Sequence, residues 1–143
     1  MKCAGKQILF VGGCRSLTAQ RKGWTWSDGR LAAKPLFEAL TAMGVDPTAH
    51  AFVNLWTDNA MGLTPGDGAV VIPWQRVDRI RAHTETGVVV ALGQRVSAEL
   101  TKRKIDHVAL VHPAARGKIR KRSRYIAHVK RALGPALADG GGR

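Results

Sequence analysis

The chain alternates short apolar runs with longer stretches of mixed polarity. QILFVGG, residues 7–13, is an unbroken apolar run closed by two glycines. Such a run, without polar alternation, reads as a strand buried on both faces, as in a parallel sheet. AFVNLW (51–56), GVVVALG (87–93) and DHVALVH (106–112) follow the same pattern. Between the runs lie segments with helical spacing. In RLAAKPLFEALTAMG (30–44), Leu36, Phe37, Leu40 and Met43 share one face. Pro35 marks the first turn of that helix, and Gly44 suits its C-terminal cap. WQRVDRIRAH (74–83), QRVSAELTKRK (94–104) and RSRYIAHVKRAL (122–133) read as further helices. A polar loop with Gly and Trp runs to about residue 30, and TDNAMGLTPGDG (57–68) is a Gly- and Pro-rich loop.

Strands alternating with helices predict a three-layer α/β/α sandwich around a central four-stranded parallel sheet. One domain is expected over residues 1–133, with PALADGGGR and its neighbours (134–143) a flexible tail. Right-handed crossovers bring the C-terminal ends of all strands to one edge, where ligands of such sheets bind. Those ends carry Gly12-Gly13-Cys14-Arg15, Asn54, Gly93 and His112-Pro113.

Composition narrows the class. A chain of 143 residues, 45% of them hydrophobic, suits one domain with a packed core. No apolar run approaches the roughly 20 residues of a membrane span, and Met1-Lys2-Cys3 does not begin a signal peptide. A soluble, intracellular protein is expected, and a monomer. Cys3 and Cys14 read as free thiols. The five histidines are scattered and no CxxC occurs, so no metal and no cofactor are expected.

Charge changes the picture most. The net charge is +13, and it is concentrated. Residues 101–131 hold eleven Lys or Arg against one acid, while residues 1–100 hold eleven against eight. A basic segment of this density is the electrostatic footprint of a phosphate backbone. No stripe of Trp, Phe and Leu accompanies it, which favours nucleic acid over a lipid surface. Arg116, Lys118, Arg120, Lys121, Arg122 and Arg124 are the phosphate-binding candidates.

The strand ends supply the candidate chemistry. His112 stands at a strand terminus before a proline that sets an extended turn. A lone histidine is more often structural, but a neutral imidazole here can donate to an atom gaining negative charge. Asn54 lies in an otherwise apolar strand. It is either satisfied by a neighbouring loop or presented to a ligand, where its side-by-side donor and acceptor suit a nucleobase edge. Gly12-Gly13 allow close backbone approach but form neither a GxGxxG nor a Walker loop, so nucleoside triphosphate binding is excluded. Trp24 and Trp26, in a polar loop, either stack on bases or pack as a lid. Trp56 and Trp74 read as core residues.

Taken in order, ILFVGGCRS, AFVNLW, VVALGQRV and VHPAARGKIR resemble the motifs of the uracil-DNA glycosylase superfamily, with GRLAAKPLFEALTAMGV resembling its helix before the second strand. The resemblance covers roughly residues 7 to 133. It implies a small parallel α/β sandwich that flips a base out of DNA and hydrolyses its N-glycosidic bond. Gly12 matches the first-motif glycine, Asn54 the base-reading Asn, and His112 the His that stabilises the departing base. Arg116 falls where the family fills the gap left by the flipped nucleotide, and Trp24 or Trp26 matches the aromatic that stacks on it. One departure is plain. The family's water-positioning acid or amide falls on Cys14, or on Arg15 or Ser16 in a shifted register, and the usual Pro is absent. Asp28 is the nearest carboxylate in the following loop. The iron–sulfur branch needs four cysteines, and the chain has two.

The expected function is therefore a DNA glycosylase acting on uracil or a modified base. Two alternatives stay open. One is a DNA-binding module of the same fold without activity, which Cys14 favours. The other is a nucleobase- or nucleotide-modifying transferase with Cys14 as nucleophile, its thiol pKa lowered beside Arg15.

Overall fold

The computed structural model describes residues 7–13, 22–23, 33–56, 72–113 and 122–142. Within them the chain runs β1 (Ile8–Gly12), α1 (Ala33–Ala42), a 3-10 turn (Pro47–Ala49), β2 (Ala51–Asn54), α2 (Trp74–His83), β3 (Val88–Leu92), α3 (Gln94–Lys102), β4 (Val108–Leu110) and α4 (Arg122–Gly142). The strands form one parallel sheet in the order β2-β1-β3-β4.

The sheet is covered on both faces, which is why its central strands need no polar alternation. All of β1 is buried. Leu9 and Val11 face a cluster with Val77 and Ile80 of α2 and Val96 and Leu100 of α3. Ile8 and Phe10 face the opposite cluster, with Leu36 and Leu40 of α1 and Tyr125, Val129 and Leu133 of α4. Three layers result, as the apolar pattern predicts. Phe10, fully buried, stacks on Phe52 with ring centroids 4.9 Å apart.

Two helices end the same way. After α1, Gly44 has φ +80°, its N–H bonds the Thr41 carbonyl at 3.0 Å, and the Val45 N–H bonds the Leu40 carbonyl at 2.9 Å. This is the paired 5→2 and 6→1 closure that satisfies the last carbonyls of a helix. After α3, Lys104 takes φ 59°, with its N–H on Thr101 at 3.0 Å and the Ile105 N–H on Leu100 at 2.9 Å. The helix expected over 94–104 therefore stops at Lys102, at a left-handed turn that no glycine announces.

Strand β4 and helix α4 also differ in length from expectation, for physical reasons. Strand β4 covers 108–110 rather than 106–112. Its flanks bond to side chains instead of a ladder: His107 Nδ1 meets the Ile105 carbonyl at 2.8 Å, and Val111 bonds to α4. Helix α4 runs on past 133 through Pro135. Val129 and Leu133 are buried in the core, and Leu137 packs against it one turn further on. The apolar stripe thus continues, and Pro135 falls on the exposed side, where losing one i→i−4 bond is tolerated. Among the described residues no helix is long and apolar enough to cross a membrane.

Candidate functional site

Because the sheet is parallel, its four strand exits share one edge. Along that edge, in spatial order, stand Asn54, Gly12-Gly13, Gly93 and His112. From β1 the chain crosses to β2 on one side, and from β3 to β4 on the other. The switch point of the sheet therefore lies between β1 and β3, with Gly12 and Gly93 at its mouth.

Asn54 ends β2 in register with Gly12 of β1 and is half-buried. Past the strands the pairing continues: Leu55 N–H donates to the Gly12 carbonyl at 2.8 Å and Trp56 N–H to the Gly13 carbonyl at 3.1 Å. Gly13 lies over the Trp56 ring, whose carbons stand 3.9 Å from where a Cβ would be. From α2, one guanidinium nitrogen of Arg76 donates to the carbonyls of Asn54, at 3.0 Å, and Trp56, at 2.8 Å. This arginine ties the first turn of α2 to the exit of β2 and places a cation at the candidate edge.

Gly93 closes β3 and caps α3. Its N–H donates to the Leu110 carbonyl at 2.9 Å, and its carbonyl accepts from Ser97 N–H at 3.1 Å. Its φ of +103° is one that L side chains rarely adopt. A Cβ there would also stand 3.3 Å from His112 Cβ. The backbone conformation favours glycine, and the neighbour that a Cβ would crowd is the candidate histidine.

His112 is held from the other side as well. The residue before it, Val111, has both main-chain groups taken by α4. His128 Nε2 accepts the Val111 N–H at 2.9 Å, and the Tyr125 hydroxyl donates to the Val111 carbonyl at 2.8 Å. Burial, with Arg131 nearby, lowers the His128 pKa and keeps it the neutral acceptor this bond requires. Burial raises the Tyr125 pKa above the ordinary phenol value, keeping the hydroxyl a donor. After His112 comes the buried Pro113. Burial also lowers the His112 pKa, so the imidazole is neutral at neutral pH. A neutral imidazole on a fixed stem can offer an N–H to developing negative charge without first shedding a tight water shell.

The structure thus brings Gly12, Gly13, Asn54 and His112 to one edge. Arg122 opens α4, and Arg124 is exposed in its first turn. Cys14, Arg15, Ser16, Trp24, Trp26, Asp28, Arg116, Lys118, Arg120 and Lys121 lie outside the described residues. Trp56 is buried, as expected, but Trp74 is not a core residue: it is 68% exposed. It is the first residue of α2, before the buried Val77 and Ile80 that face the core. Sequence reasoning missed Arg76, Tyr125 and His128. The spacing of Tyr125 and His128 puts them on one helix face, but their partners are the carbonyl and the N–H of Val111, 14 and 17 residues away.

In comparisons with known proteins, the chain matches no family model and no curated protein.

Proposed function

We propose that this protein is a DNA glycosylase that extrudes a base and hydrolyses its N-glycosidic bond. The observation that carries the reading is His112: neutral, backed by Gly93, and fixed through Val111 at the C-terminal edge of the sheet. Asn54 exits the same edge three strand positions away, about 14 Å at the usual spacing between strands. That gap suits one flat heterocycle with a side chain reaching in from either end.

Cleavage leaves positive charge on the sugar and sends the bonding electron pair to the departing base. Water bonds to the sugar carbon and supplies the proton that the base anion finally takes. The His112 N–H stabilises that anion while it forms. Asn54 reads the base edge through its amide donor and acceptor. The basic segment holds the phosphates, and extrusion costs a few kcal/mol that stacking and phosphate contacts offset. The group that orients the water is open, since Cys14 stands at the position where the resemblance implies an acid or amide.

The test is base release from oligonucleotides carrying uracil, hydroxymethyluracil, hypoxanthine or a mismatch. Release of a free base from at least one substrate is expected. Salt-sensitive DNA binding without release would favour the binding module instead. Activity abolished by thiol modification, with DNA binding intact, would favour the Cys14 transferase.

A further inference from the structure

Trp74 is the most exposed large apolar side chain among the described residues, and the next, Val111, is only 37% exposed. Its place is specific. It opens α2, and two residues later Arg76 ties that turn to the carbonyls of Asn54 and Trp56. Trp74 therefore stands on the same edge as the Asn54 exit. On its own helix the other exposed residues are Gln75, Asp78, Arg79, Arg81 and Ala82.

These facts select among the uses of an exposed indole. A membrane-lying helix needs a continuous apolar face, and α2 spends its apolar residues Val77 and Ile80 on the core. A protein-docking hot spot sits inside a larger apolar patch that excludes water, and among the described residues the only other exposed large apolar side chain is Val111. A single flat ring on a basic surface suits a partner that brings its own flat rings and negative charge. Helix α2 carries three arginines against one aspartate, within a chain of net charge +13.

We propose that Trp74 is a stacking platform for an unpaired nucleobase of a DNA strand running along the C-terminal edge of the sheet. The inference rests on the reading of the chain as a DNA-binding protein, not on its catalysing base release. Stacking on an aromatic face is tolerant of sequence because every base presents a π-face. Trp74 would grip the strand beside the Asn54 exit, and Arg76 would hold the platform in place through its two carbonyl bonds.

The test is fluorescence anisotropy of labelled single-stranded and duplex oligonucleotides with wild type, Trp74→Ala and Trp74→Phe, over a range of salt. The exposed position makes both variants expected to fold, and circular dichroism checks this. The expected result is weakening of single-strand binding by about tenfold or more for Trp74→Ala. Trp74→Phe should weaken it less. The slope of affinity against salt should not change, because no phosphate contact is removed. Wild-type affinity in Trp74→Ala would overturn this inference and leave the glycosylase reading standing. An absence of salt-sensitive DNA binding in the wild type would overturn both.

Discussion

Val111 donates its N–H to His128 and accepts the Tyr125 hydroxyl at its carbonyl, so the main chain leading into His112 has little freedom to turn. At this scale the proposed chemistry depends on two residues that touch no substrate. Tyr125→Phe keeps the buried ring and removes one hydrogen bond, which should lower stability by about 1 kcal/mol in denaturant titration. His128→Leu removes the acceptor of the Val111 N–H at a solvent-exposed bond and should cost about 1 kcal/mol. Both should slow base release while leaving DNA affinity unchanged. A slowed, tightly binding Tyr125→Phe marks a positioning role, whereas wild-type release rates would reduce the hydroxyl to a structural tie. His112 itself was legible in the sequence because a strand end and a proline frame it. Its clamp was not, because hydrogen bonds between a helix face and a distant peptide leave no periodic trace. Trp74 was misread for a related reason. Residue type suggests burial, but the end of a helix can overhang the sheet it packs on.

The elements were legible wherever apolar residues alone decide them. β1 and β3 are central strands buried by helices on both sides, and their unbroken runs say so. Helix α2 spans 74–83, as its spacing predicts. Ends decided by single hydrogen bonds were harder to read, as β4 and α3 show. The two left-handed helix ends give a paired test. Gly44 and Lys104 occupy equivalent positions in equivalent closures. A left-handed conformation costs an L residue about 1–2 kcal/mol, partly offset by the extra freedom glycine has when unfolded. Gly44→Ala should therefore lower stability by about 0.5–1 kcal/mol, and Lys104→Gly should raise it by a similar amount. Chemical denaturation of the two variants beside the wild type checks the sign of each. Equal signs would mean that side-chain contacts, not backbone conformation, dominate these ends.

Across the whole molecule, histidines used as neutral acceptors link stability to pH. His50 Nδ1 accepts the Ile8 N–H at 2.9 Å at the start of β1, and His128 Nε2 accepts the Val111 N–H near the end of β4. Burial lowers the pKa of both, and of His112, below 6.5. The unfolded chain then binds more protons than the folded one as pH falls through 6.5. The stability these groups contribute is full above that value and is lost on acidification. The melting temperature should drop between pH 7 and pH 5. The double substitution His50→Gln with His128→Gln, which keeps a neutral acceptor at each site, should flatten that drop. An unchanged drop would assign it to His112 and to general repulsion in a chain of net charge +13. That charge was plain in the sequence, and with the order of the strand-end motifs it is what the proposal of a DNA partner rests on. The groups at the edge were legible as well, but their spatial order along it, Asn54, Gly12-Gly13, Gly93 and His112, became clear only from the strand order.

The central claim is that His112 stabilises a base as it leaves DNA. The most direct measurement is single-turnover base release by wild type and His112→Ala on whichever substrate the wild type cleaves, with DNA affinity measured alongside. Removing a donor placed for a developing anion should slow release by about 100- to 1000-fold and leave binding unchanged. Release by His112→Ala at the wild-type rate would contradict the account.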